Sequence, residues 1–239
     1  MAHRAIASET SLPRPSFNWL IAAGLLLSTA VSWRFVVHYA LPYFGFDPAY
    51  FKDFWPLRTR LIFHICGGIV TLVCGPLQFW TGLRQRAMNF HRWTGKLYLF
   101  GVVVGSVGAY SLAVYSKPEG YSLALMVMST AWVFTTSIAF AAILRGLVTL
   151  HRQWMVRSYL VTFAFVTIRL FMEYLPGVVA HLGGTLQERV INLVWISWSL
   201  PLVVFELILQ VRRILPARGA TSSKAPTSGR SPLPTFLFF

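Results

Sequence analysis

The sequence predicts an all-α integral membrane protein in which six transmembrane helices form one bundle and both termini face the cytoplasm. Three observations carry that reading. Of the 239 residues, 56% are hydrophobic and only 12% charged, about half the charged share of an ordinary soluble domain, which excludes most soluble enzymes. Six apolar segments each approach the roughly 20 residues a helix needs to cross hydrocarbon. The cations gather on one side of those segments.

The first segment, 17–41, follows a short basic stretch, as a signal peptide would. Its apolar run continues past Arg34 to Leu41, too long for a signal core, so it is read as a helix ended by Pro42. The second, 61–80, holds both cysteines. Cys66 and Cys74 are eight residues apart, roughly 12 Å along a helix, so they read as buried free thiols. The third and fourth, 92–114 and 121–144, are separated by Pro118 and Gly120. Pro176 and Gly177 close the fifth, 153–175, and the sixth covers 190–211. The chain thus divides into a cytoplasmic N-terminal segment 1–16, a six-helix domain 17–212 and a basic tail 213–239. The tail, rich in Pro, Ser, Gly and Thr, is expected to be disordered.

A formal charge of +14 often signals nucleic acid, but beside such long apolar runs membrane topology explains it better. The partner expected is the lipid bilayer, and no nucleic acid. Fourteen of the 21 Lys and Arg fall in the N-terminus, the 81–92 and 145–152 loops with their adjoining helix starts, and the tail. Five fall on the opposite side, offset by carboxylates. Arg34 and Arg169 remain within helices.

Inside lipid the polar exceptions carry the information. At 100° per residue His64, Gly68, Thr71, Gly75 and Gln78 share one face of the second helix. His91, Gly95, Tyr98 and Gly105 share one in the third; His151, Met155, Ser158, Thr162 and Arg169 one in the fifth. In the sixth, Asn192, Ser199, Glu206 and Gln210 align. Small and polar residues on one face mark the side turned toward other helices. A cation within a span is costly unless paired or functional, and Glu173, one turn from Arg169, is the expected partner.

The segments HRWTGKLY (91–98) and HRQWMVRSY (151–159) resemble each other at a spacing of 60 residues, one helical hairpin. The helices they begin should run parallel, and a two-fold axis along the membrane normal would bring His91 and His151 face to face. Two facing imidazoles suit the iron of a b-type haem. Gly95 would admit the flat macrocycle, and Arg92 and Arg152 would hold its propionates. His64 is a candidate ligand for a second haem, with Met126 or Met128 opposite. The plainer alternative makes the His-Arg pairs interfacial anchors, with Trp93, Trp154, Tyr98 and Tyr159 as an aromatic belt.

Together with His64, the motifs GPLQF (75–79), LRQR (83–86), HRWTGKLY, HRQWMVRSY, Arg169, WISW (195–198) and Glu206 resemble the domain-of-unknown-function 2306 family of multi-pass bacterial membrane proteins. The resemblance covers roughly residues 15–212. It implies a bacterial inner-membrane location and an architecture, but no activity and no catalytic residues. A looser likeness is to transmembrane b-type cytochromes, matched at His64, His91 and His151; the fourth helix departs from that scheme by lacking a histidine. Three functions are in competition. The first is electron transfer through haem, to or from quinone or another carrier. The second is a carrier or a binder of anionic lipid or metabolite, using Arg169, Glu206 and the His-Arg ends. The third is a structural or assembly role. No broken span in matching halves favours the carrier, and no H-E-x-x-H, G-x-S-x-G or P-loop motif points to a hydrolase or NTPase.

Overall fold

Helix breakers and caps set the element boundaries. In the computed structural model, which describes residues 19–84, 87–116 and 119–214, the first apolar run forms α1 (Trp19–Phe35). Because Pro42 has no N–H to donate, the ladder ahead of it widens into a π-turn over Val36–Ala40, closed by Leu41 N–H to Val36 O, and then tightens into a 3-10 turn over Leu41–Gly45. Asp47 caps the short α2 (Pro48–Phe51) through a 2.9 Å bond from Ala49 N–H. A 3-10 turn containing Pro56 leads into α3 (Arg58–Arg84). Then follow α4 (Met88–Tyr115), α5 (Glu119–Leu144), α6 (Val148–Thr162), α7 (Ala164–Tyr174), α8 (Pro176–Ala180) and α9 (Leu186–Ile214).

Two caps went unread in the sequence. Gly146, at φ +70°, ends α5 with bonds from Gly146 N–H to Ile143 O and from Leu147 N–H to Ala142 O, the Schellman pattern. Thr185 and Glu188 open α9 as a capping box, each side chain bonding the other's backbone N–H at 3.2 and 3.0 Å.

Among the described residues five helices are long and apolar enough to cross a membrane, or six when α6 and α7, bent by 43° at Phe163, count as one span. That agrees with the all-α expectation and its six spans. The segment 1–16 and the tail from 215 lie outside the described residues; 213 and 214 still belong to α9. The chain divides into two units, Met1–Leu202 and Val203–Phe239, the described part of the second being the last three turns of α9.

In the first unit α3 packs on α4, α4 on α5, α5 on α6, and α6 back on α3, a closed four-helix ring, while α1 leans on α3 and α7. The α3–α4 seam is built from glycine: a Cβ on Gly67 would run into the backbone of Gly101 and Gly105, and one on Gly108 would lie 2.5 Å from His64 N. Such contacts let two backbones approach more closely than any side chain allows. Tyr98 sits fully buried at the centre, its hydroxyl 2.8 Å from Ser158 Oγ and 2.9 Å from Thr162 Oγ1. Both cysteines are free thiols, Cys74 buried.

The polar stripes of α3, α4 and α6 face this interior, with Thr71, Gln78, Tyr98, Ser158 and Thr162 all buried. The stripe assigned to α9 is corrected. Its buried residues in the first unit are Leu193, Val194 and Ser197. Asn192 is exposed and donates to the loop carbonyl of Leu182 at 2.6 Å, and Ser199 turns back on Trp195 O. Local carbonyls satisfy these groups, so they need no interior.

Candidate functional site

The sequence repeat is a structural one. His91 and His151 are each the fourth residue of the second helix of a hairpin, their N–H groups bonding Ala87 O and Leu147 O. Each ring reaches back to the first helix of its own hairpin. His91 Nδ1 bonds Thr81 Oγ1 at 2.9 Å, and His151 Nδ1 bonds Ala139 O at 2.8 Å. Thr81 Oγ1 already donates to Leu77 O, so it accepts from His91. The His151 ring and Arg152 lie near enough to act electrostatically on His91.

The space beside Gly95 is not open. The Gln78 amide fills it: a Cβ on Gly95 would lie 3.3 Å from Gln78 Oε1. Gln78 Nε2 donates to His91 O at 2.6 Å and to Thr94 Oγ1. Arg92 and Arg152 are exposed. Among the described residues no group of three or more His, Cys, Asp or Glu is arranged to hold a metal ion. A macrocycle laid against Gly95 would have to displace the hydrogen-bonded Gln78 amide. Protein purified from haem-replete cells is expected to show no Soret band, oxidised or dithionite-reduced; a band lost in His91→Ala would reverse this reading. The anchoring features are clear at the same end, where Lys96 lies 4.9 Å over the exposed Trp93 and Arg157 4.6 Å over Trp154.

The open space lies elsewhere in the first unit. A cavity of about 220 Å³ is walled by α3, α4, α5, α6, α7, the end of α1 and its π-turn, and two 3-10 turns. Two irregular helices converge on it. The π-turn contributes Tyr39 and Ala40, and the α6–α7 bend sets Val161 and Thr162 on one side of the break and Phe165 and Arg169 on the other. π-turns and broken spans recur at functional sites because they free backbone and re-aim side chains.

Most of the wall is apolar, from residues such as Leu61, Ile65, Ile69, Leu112 and Leu125. The polar exceptions are few. His64 Nδ1 lies 3.0 Å from Gly105 O, and the ring meets Phe165 edge-on at 5.5 Å. A carbonyl only accepts, so Nδ1 carries the hydrogen and the neutral ring's Nε2 offers a lone pair. Met128, the suggested partner of His64, lines the same cavity.

The expected Arg169–Glu173 pair is corrected. Glu173 bonds Arg34 and the Tyr39 hydroxyl instead, because α1 lies against α7 and brings a second arginine to the carboxylate. Arg169 stacks over the Tyr39 ring at 5.3 Å and lines the cavity, with no carboxylate in ion-pair range among the described residues. Glu206 lies in the second unit. The sequence singled out His64 and Arg169 separately; it gave no sign that they share a cavity, nor of Ser129, Tyr43 and Tyr121, which line it too.

A bundle of apolar helices with a polar-tipped cavity between them defines a polytopic membrane protein. Residues 61–209 match the family described as "Predicted membrane protein (DUF2306)", and the chain belongs to that family. Comparison with curated proteins and with solved structures gives no match.

Proposed function

We propose that this protein binds, within the bilayer, an amphiphile whose oxygen-bearing head group meets Arg169 and whose apolar body fills the cavity. The observation that carries this is Arg169. A guanidinium inside a span is expensive and is retained where it pairs or works. Its nearest carboxylate in sequence is engaged by Arg34, and the cavity offers it an occupant instead. Aromatic and aliphatic walls with a few placed donors are what a small-molecule site requires. With the cation-rich hairpin loops on the cytoplasmic face of a bacterial plasma membrane, as their charge favours, the cavity lies in the outer half of the bilayer and is reached from lipid.

The test is ligand-dependent thermal stabilisation of the full chain in detergent. Sixteen-carbon or shorter single-tail probes carrying a carboxylate or a quinone head are compared with the same tails on a quaternary ammonium. Oxygen heads should stabilise the protein and the ammonium should not. Arg169→Gln should weaken binding by about tenfold or more, the worth of a charged hydrogen bond. Equal response to both head classes, or undiminished binding in Arg169→Gln, would overturn the proposal.

A further inference from the structure

The cavity has two polar poles, and their chemistry differs. Arg169 forms the first, and a guanidinium only donates. The second lies one turn deeper. Phe165, four residues before Arg169 and so about 6 Å along the helix, touches the His64 ring. The Nε2 of His64, with its hydrogen committed on Nδ1 to Gly105 O, only accepts. Its position is fixed by the glycine seam, since the α4 backbone at Gly108 abuts His64 N.

Ser129 adds a further polar group to the cavity wall. It is 2% exposed and lines the cavity. Its neighbours on α5 return their hydroxyls to the helix, Thr130 to Met126 O, Thr135 to Ala131 O and Thr136 to Trp132 O. Ser129 makes no such bond to a described residue. Its hydroxyl can therefore donate to or accept from an occupant of the cavity. Aromatic rings of Phe165, Trp132 and Tyr121 also line the cavity, which suits a flat ring.

Resting on the amphiphile reading above, we infer that the occupant is a tailed para-quinol, held with one oxygen at Arg169 and the other hydroxyl donating to His64 Nε2, beside Ser129. The two oxygens of such a ring stand on opposite sides of it, so one can accept from Arg169 while the other donates to His64. The reduced form is preferred. Its O–H supplies the hydrogen that Nε2 lacks, whereas a quinone carbonyl would set lone pair against lone pair. Arg169 serves both forms alike.

The experiment titrates full-length protein, under anaerobic conditions, with a decyl-tailed benzoquinone, with its quinol, and with hexadecanoate. Wild type should bind the quinol about tenfold more tightly than the quinone, the difference one buried hydrogen bond makes. In His64→Phe, which keeps a ring beside Phe165, that ratio should fall to about one. Ser129→Ala, a small change for any fold, should reduce quinol affinity severalfold and so keeps the test decisive if His64→Phe does not fold. Equal affinity for both forms in wild type, or a preference that survives His64→Phe, overturns the quinol assignment. Binding of hexadecanoate without either benzoquinone form overturns it as well and leaves the amphiphile reading standing. No response to any tailed probe overturns both.

Discussion

Replacing Gly67 by valine is expected to destabilise the bundle by about 3 kcal/mol, the upper range for forcing atoms into a filled interior. The same change at Gly24 should cost little. The contrast rests on what surrounds each position. At Gly67 a first side-chain carbon would meet the Gly105 N and Gly101 O of α4, which are backbone and cannot rotate away. At Gly24 nothing lies within 4 Å. Gly68, the next residue along α3, is also open, so Gly68→Ala separates the seam from glycine's general effect on a helix. The damage at Gly67 should reach the cavity too. Spreading α3 from α4 withdraws the Gly105 carbonyl that orients His64, so ligand response should fall along with stability. Unfolding by graded anionic detergent, followed by tryptophan fluorescence, gives the first quantity. A Gly67→Val protein as robust as Gly24→Val would mean the seam is not held at this distance.

Much of the architecture was legible because lipid makes composition speak. Every backbone group inside a bilayer must be bonded within its own helix or barrel, so long apolar runs became helices within a few residues of their expected limits. The repeat around His91 and His151 was legible as well, since matching residues sixty apart took the same place in two hairpins. Side-chain partners were not. Glu173 stands at ideal spacing from Arg169 for an intrahelical pair, yet Arg34 and Tyr39, more than 130 residues away in sequence, hold it. Gly95 looked like a vacancy because the sequence does not reveal that Gln78 of the neighbouring helix lies against it. The cavity was invisible for the same reason, being assembled from nine helical segments and turns of which none is distinctive alone. The bend at Phe163 left no signal, since no glycine or proline marks it.

Two back-bonding threonines flank that bend, and the first of them leads to the second large effect expected. Thr162 returns its hydroxyl to Ser158 O at 3.0 Å and Thr167 to Phe163 O at 3.2 Å, the back-bonding that loosens and bends helices. The Thr162 oxygen also accepts from Trp132 Nε1 at 2.8 Å and shares the 2.9 Å contact with Tyr98. One oxygen therefore fixes the α6–α7 break to both α4 and α5 at the floor of the cavity. Thr162→Val keeps the shape and removes that oxygen. Trp132, 6% exposed, then loses its 2.8 Å acceptor, and Tyr98 loses one of its hydroxyl partners while keeping Ser158. Interhelical hydrogen bonds in membrane bundles contribute up to about 1.7 kcal/mol each, so the loss expected is about 2 kcal/mol. Thr162→Ser, which keeps the oxygen, should stay within roughly 0.5 kcal/mol of wild type. Adding Trp132→Phe to Thr162→Val should cost less than the sum of the two single changes, because the indole donor leaves together with the acceptor it bonds. Strict additivity in that cycle would show that the indole and the threonine are not coupled, and that the bend is set by packing rather than by this shared oxygen.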